Sequence, residues 1–271
     1  MKRWLPFSAP LALNLLALSA VAGAGDALVP DVTEPPRYGE FLVIPLRVHL
    51  LKSRDLPEVD CALRDADITR ILGKVNAIWS KAGIHWGLES LVREPAARQE
   101  KFRLARDLNG SAPLGLFRVL LPEASRDLDG LHVYYIHKFP VNGVYMGADF
   151  AMVQETSQLR SVEGGIDEPI PRVTAHELGH ALGLPHRQAL TNLLASGTTG
   201  TLLNADEVKV AREKALKTPG VIRVEELKGE AERAAARGDI ECARRLWRWL
   251  AEIPGEGMNE AQHALQALDA R

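Results

Sequence analysis

Only two cysteines, Cys61 and Cys242, occur in the 271 residues. That excludes a disulfide-built scaffold. Neither has the second cysteine or histidine nearby that a cysteine-rich metal site would need. The two could pair and tie the C-terminal part to the rest of the chain, or stay as separate buried thiols that behave as small hydrophobes. Charge of one sign is lacking too. A formal net charge of −2 leaves no basic footprint for nucleic acid and no strong acidic tail. No segment recurs as a second full copy, so no repeat array can be claimed. What is present, 46% hydrophobic and 25% charged residues, is the composition of an ordinary globular protein.

The N-terminus differs from the rest. Met1-Lys2-Arg3 is positively charged, an apolar run follows from Leu11 through Val21, and Ala22-Gly23-Ala24 is a small-x-small cleavage site. Residues 1–24 therefore read as a signal peptide, which makes the protein exported, periplasmic or secreted. The run is interrupted by Pro10 and Asn14 and is short for a bilayer span, so no stable membrane span is expected after cleavage. Residues 25–40, with Pro30, Pro35 and Pro36, form a loose leader.

From residue 41 the pattern alternates between strands and helices. Phe41 to Leu51 is a buried strand in which Pro45 marks an edge or a bulge. A helix beginning at Asp65 carries Ile68, Ile71, Leu72, Val75 and Ile78 on one face and ends near Gly83. Ile84 to Val92 and Leu131 to His137 are further strands, with two short helices between them broken around Asn109-Gly110-Ser111. Asn142-Gly143 is a turn, and Val144–Met146 and Phe150–Val153 are short strand pieces. Pro171 opens a helix that runs to Leu182, and Asn204 with Glu207 forms a capping box for another. The order predicts an α+β domain over 41–218 with a small mixed, twisted sheet, a backing helix and an active-site helix. Residues 219–271 form a C-terminal helical region, Val224–Ala236, Ile240–Ile253 and Asn259–Ala270. These helices could dock a protein partner, or simply pack on the catalytic part.

The chemistry lies between residues 175 and 186. His176 and His180 are four apart, so on a helix their imidazoles leave one face about one turn apart and can reach a single ion. Glu177 is rotated about a hundred degrees from His176 and points beside that ion. Gly183 can reverse the chain in a left-handed conformation, and Leu184-Pro185 then brings His186 back as a third ligand. Three protein ligands leave the fourth position open, as in a catalytic zinc site.

Ala175-His176-Glu177-Leu178-Gly179-His180-Ala181-Leu182-Gly183-Leu184-Pro185-His186 resembles the HExxHxxGxxH zinc signature of the metzincin metallopeptidases. The resemblance implies Zn2+ held by His176, His180 and His186, with Glu177 as general base toward a zinc-activated water. It also implies a turn bearing methionine beneath the metal. Thr191–Gly197 stands where that turn belongs, with Leu194 in place of the methionine and Ser196 where some members carry a tyrosine. Arg187, after the third histidine, matches no familiar subfamily. The resemblance is specific over residues 171–204, looser back to residue 41, and absent beyond 219.

The expected function is zinc-dependent endopeptidase hydrolysis of peptide bonds in an extended peptide or protein substrate. The strand pieces between Gly143 and Val153 would bind it by strand addition. The alternative is an exported zinc-binding protein whose C-terminal helices dock a partner, with little or no peptidase activity. His49, His132 and His137 on strands, and the isolated His85 and His263, read as structural or solvent-exposed. Asp127 and Asp129 before Gly130 read as a turn, and Asp31 could approach the metal.

Overall fold

A computed structural model describes residues 30–107 and 114–270. The proposed signal peptide and the Asn109-Gly110-Ser111 break lie outside the described residues. Among the described residues, no helix is long and apolar enough to cross a membrane.

The strands are β1 (Leu42–Lys52), β2 (Ile84–Pro95), β3 (Leu131–Ile136), β4 (Gly143–Tyr145), β5 (Phe150–Gln154) and β6 (Ile222–Arg223). They form one mixed sheet in the order β2-β1-β3-β5-β4, with β6 added to β1. The neighbouring pairs from β2 through β5 run parallel, whereas β4 and β6 are antiparallel to their partners. The expectation for Pro45 is met in its physical sense. β2 covers one side of β1 throughout, while the other side is taken by β6 at Leu42 and Val43 and by β3 from Leu46 onward. Pro45 falls between these two partners, where its missing N–H costs no ladder bond. A bulge follows at once, between Leu46 and Arg47.

The helices are α1 (Asp65–Trp79), α2 (Gln99–Asp107), α3 (Glu123–Arg126), α4 (Pro169–Ala181), α5 (Ala205–Ala215), α6 (Val224–Ala236), α7 (Ile240–Glu252) and α8 (Met258–Asp269). A seven-residue 3-10 segment, Leu114–Leu120, stands where the second helix of the 94–127 region was expected. It is followed only by the single turn of α3.

Alternation along β1 sends Leu42, Ile44, Leu46, Val48 and Leu50 to one face, where α1 and α4 cover them. Ile68, Ile71, Leu72, Val75 and Ile78 of α1 all reach this core, as their helical spacing predicts. The opposite face is divided. Phe41 and Val43 are covered by α6, α7 and α8. Leu51, Tyr134, Ile136, Phe150 and Met152 pack with Phe102, Phe117 and Phe139. Between those two apolar patches lie Arg47, His49 and His132.

The C-terminal helices share a core with the sheet. Trp249 of α7 donates its indole N–H to the Leu88 carbonyl at 3.1 Å, and the Tyr38 hydroxyl donates to the Leu250 carbonyl at 3.0 Å. Each fully buried large apolar side chain on such a face contributes about 1.5–3 kcal/mol. Cys61 is buried, Cys242 is half-buried, and both are free thiols, so the disulfide alternative is not realised.

Candidate metal centre

α4 begins with Pro169 and Pro171 in its first turn, where a backbone N–H would have no intrahelical partner and its absence costs no bond. It ends at Ala181, and Gly183 follows at φ 82°, the left-handed turn that its position suggested. The chain reverses there and returns His186 toward the helix. His176, His180 and His186 converge, the one group of potential metal ligands found among the described residues.

Their hydrogen bonds decide which nitrogens face inward. His176 Nδ1 lies 2.8 Å from the Leu193 carbonyl oxygen, and His180 Nδ1 lies 2.8 Å from that of Leu184. A carbonyl only accepts, so each Nδ1 carries the proton and each Nε2 keeps its lone pair. The three Nε2 atoms then meet, with His180 Nε2 at 3.0 Å from that of His176 and 3.1 Å from that of His186. Lone pairs facing one another at that distance repel unless a cation lies between them. Tetrahedral bonds of about 2.0–2.1 Å would separate two ligand nitrogens by about 3.3 Å, close to the spacing seen. An all-imidazole donor set suits zinc, and the residues fit the ion. Burial holds the His176 imidazole neutral, pushing its pKa down to about 3, and shifts His180 in the same direction.

Glu177 is 5% exposed and lines the same groove as the histidines. Burial drives its carboxyl up to about 8, while the Tyr145 backbone and the Arg172 charge act the other way. A divalent ion beside it would also favour the ionised form. β4 lies so near that a Cβ at Gly143 would stand 2.5 Å from Val173 and 2.9 Å from Glu177 Oε1. Gly143 is therefore required for close approach, a role that its reading as a turn residue did not include. The groove, about 700 Å3, has walls of Val141, Val144, Tyr145, Leu159 and Val173. It runs along β4, the last strand of the sheet.

Sequence reasoning missed the contacts by which Arg172, Arg187, Glu207 and Asn192 support the histidines. Arg172 is buried and donates to the Gly200 carbonyl at 3.1 Å and to that of Ala195. It thereby pins the loop beneath the histidines to α4, and burial lowers its pKa to about 10. Its spacing of four from His176 was the available signal. Arg187 pairs with buried Glu207 at 2.7 Å, and Asn192 donates to the same carboxylate at 2.8 Å.

The other histidines lie elsewhere. His49, His85 and His132 are buried. His49 and His132 lie 2.9 Å apart, on the face of the sheet away from α4. His137 pairs with Glu155 at 2.5 Å, and His263 is exposed. Asp31 bridges to Asn204 and is not among the converging groups. Asp127 and Asp129 stay in the turn before Gly130, whose φ is 111°.

No family model and no curated protein matches the sequence. Among solved structures, the chain is similar to part of a chaperone–substrate complex, with a TM-score of 0.39 and 12% identity over 66% of this chain and 36% of that one. It is similar to metalloproteinase-II from Bacteroides fragilis, with a TM-score of 0.37 and 13% identity over 70% and 59% of the two chains. A zinc-dependent peptidase from Methanocorpusculum labreanum gives 0.29 and 14% over 62% and 99%. The chain thus spans less than two thirds of the first two proteins. Overlaps this loose carry no functional argument, which rests on the site itself.

Proposed function

We propose that this protein is a zinc-dependent endopeptidase that cleaves peptide bonds in extended substrates. One observation carries the reading: three imidazole Nε2 atoms converge beside a buried carboxylate, in a groove along the end strand of the sheet. A zinc ion, when bound by His176, His180 and His186, supplies Lewis acidity to the scissile carbonyl and acidifies the attacking water. Glu177 accepts the proton that this water loses as the new C–O bond forms. It then delivers that proton to the amine nitrogen as the C–N bond breaks. The Tyr145 backbone favours the ionised carboxylate against the burial that raises its pKa, and a bound divalent ion would act in the same direction as Tyr145. The backbone of β4 offers a substrate strand its hydrogen-bonding edge, so that the scissile bond lies across the histidines.

The test is Glu177→Ala in the full chain. Zinc content, measured by elemental analysis, should stay at the wild-type level, while cleavage of a generic peptide substrate should disappear. Undiminished turnover in that variant, or wild-type turnover insensitive to a strong chelator, would overturn the assignment.

A further inference from the structure

Two features of the sequence find no place in the peptidase reading: Arg187, which matches no familiar pattern after a third histidine, and Glu207, recognised only as part of a capping box. The structure joins them. Glu207 is 1% exposed, and a buried carboxylate must have its acceptor capacity filled. Its Oε1 accepts from Arg187 Nε at 2.7 Å. Its Oε2 accepts from Asn192 Nδ2 at 2.8 Å and from the Asn204 backbone N–H at 2.9 Å. Only the last of these belongs to the helix cap.

Each of the other two donors leads to the metal centre. Arg187 follows His186 directly, and its backbone N–H donates to the Leu194 carbonyl at 3.0 Å. Asn192 turns its Oδ1 to the Leu194 backbone N–H at 2.7 Å, which fixes the peptide between Leu193 and Leu194. The carbonyl of that peptide is the one His176 Nδ1 donates to. One carboxylate on α5 therefore holds both the segment that delivers the third histidine and the peptide that orients the first.

We propose that Glu207 is a positioning residue for the three-histidine centre, setting its affinity for metal through Arg187 and Asn192. The inference rests on the zinc reading of that site. The Leu194 side chain, buried against Gly179, offers neither charge nor hydrogen bond. The geometry of the loop is set instead by this network and by Arg172 from the other side. Outer-shell partners of this kind fix the ring orientation of metal-binding histidines, and changing them typically weakens metal binding roughly 10–100-fold.

The experiment measures zinc affinity of the full-length protein by competition with a chromophoric chelator, together with the visible spectrum of the cobalt(II)-loaded form. Glu207→Gln keeps an oxygen for the Asn204 N–H but sets an amide donor against Arg187. Arg187→Gln removes the same pair from its more exposed end. Both should raise the zinc Kd about 10–100-fold and change the cobalt bands. Asn204→Ala removes the cap side chain and keeps the backbone N–H, so it should lower thermal stability and leave the zinc Kd within about twofold. A Kd unchanged in Glu207→Gln and Arg187→Gln, with wild-type protein binding zinc normally, would overturn the proposal and leave the zinc reading intact. So would an equal loss in Asn204→Ala, which would reduce Glu207 to a helix cap. If wild-type protein binds no zinc, the reading of the site falls and takes the proposal with it. Should Glu207→Gln fail to fold, Arg187→Gln decides alone.

Discussion

Two groups of histidines lie on opposite faces of one sheet, and their hydrogen bonds are organised in opposite ways. In the α4 group, two of the three rings send an Nδ1 proton outward to a backbone carbonyl, and all three Nε2 atoms point at a common centre. On the far face the contacts run in a line. Glu94 Oε1 lies 2.7 Å from His49 Nδ1, His49 Nε2 lies 2.9 Å from His132 Nδ1, and His132 Nε2 lies 3.0 Å from the Leu128 carbonyl oxygen. Two of these contacts are hydrogen bonds, and two neutral imidazoles bring the two protons they need. Glu94 Oε1 faces His49 Nδ1 without a hydrogen bond; burial raises the Glu94 pKa, lowers that of His132 and pushes His49 down to about 3. The linear group is therefore joined by its own protons, whereas the convergent group brings three Nε2 atoms to one point that fits a cation. Buried histidines in one chain can thus be separated into ligands and structure by counting protons along their contacts.

The largest expected effect tests that separation directly. His180→Ala removes a converging lone pair, so zinc binding should weaken by more than the roughly 10–100-fold typical of outer-shell changes. Elemental analysis after dialysis should find the variant essentially free of zinc. His49→Leu should keep full zinc content. It removes the ring that His132 Nδ1 bonds and opens space in a buried seam, and urea unfolding should show a loss of roughly 2–4 kcal/mol. Zinc lost from His49→Leu, or retained in His180→Ala, would erase the distinction.

A smaller effect sharpens it through pH. Unfolded histidine titrates near pH 6.5. The buried His49 and His132 rings resist protonation, so they contribute stability present above about pH 6.5 and lost as pH falls toward 3. Glu94 has the opposite sign. Its raised folded pKa gives stability that is full below the unfolded value of about 4.3 and declines as pH rises. Two imidazoles against one carboxyl leave a net acid loss. Arg47, Glu89 and Asp149 also act on His132, and Arg47 on His49, so their charges are common to both measurements. Between pH 7.5 and pH 5, wild type should lose on the order of 1 kcal/mol more than His49→Leu. The comparison between the two proteins removes the contribution of the α4 histidines. Equal losses would show that the linear group does not titrate as argued.

How far each group was legible follows from the same contrast. His176, Glu177, His180 and His186 lie within eleven residues, so helical spacing and one left-handed glycine suffice to bring them together. His49 and His132 are 83 residues apart and meet only because β1 and β3 are adjacent and in register, Arg47 opposite His132. Period-2 alternation placed each ring on a strand face but not beside its partner. Leu194 was legible because it sits in a short motif-bearing loop. The bond from Arg187 to Glu207 was not, because it joins the end of one segment to the start of another helix. The C-terminal helices were legible as helices. Their placement against Phe41 and Val43 was not, since an amphipathic pattern shows an apolar face but not what covers it.

The smallest expected effect concerns Leu194, the position where the loop departs from the zinc signature that the sequence resembles. Its side chain is fully buried and would stand 3.2 Å from a Cβ at Gly179, one residue before His180. Its contribution to the site is therefore made by packing and by its backbone, which accepts from Arg187 N–H and donates to Asn192 Oδ1. Leu194→Met keeps volume and apolarity, so stability should change by less than about 1.5 kcal/mol and the zinc Kd by less than about twofold. Leu194→Ala should cost roughly 2–5 kcal/mol through the cavity it opens. In that variant the Ala195 and Gly200 carbonyls remain tied to Arg172 and the backbone N–H of residue 194 to Asn192 Oδ1, so zinc should still bind. A marked gain in zinc affinity from Leu194→Met would show that the sulfur-bearing side chain tunes the histidines itself. The absence of such a gain would assign that task to the backbone carbonyls and to the charged groups that hold them.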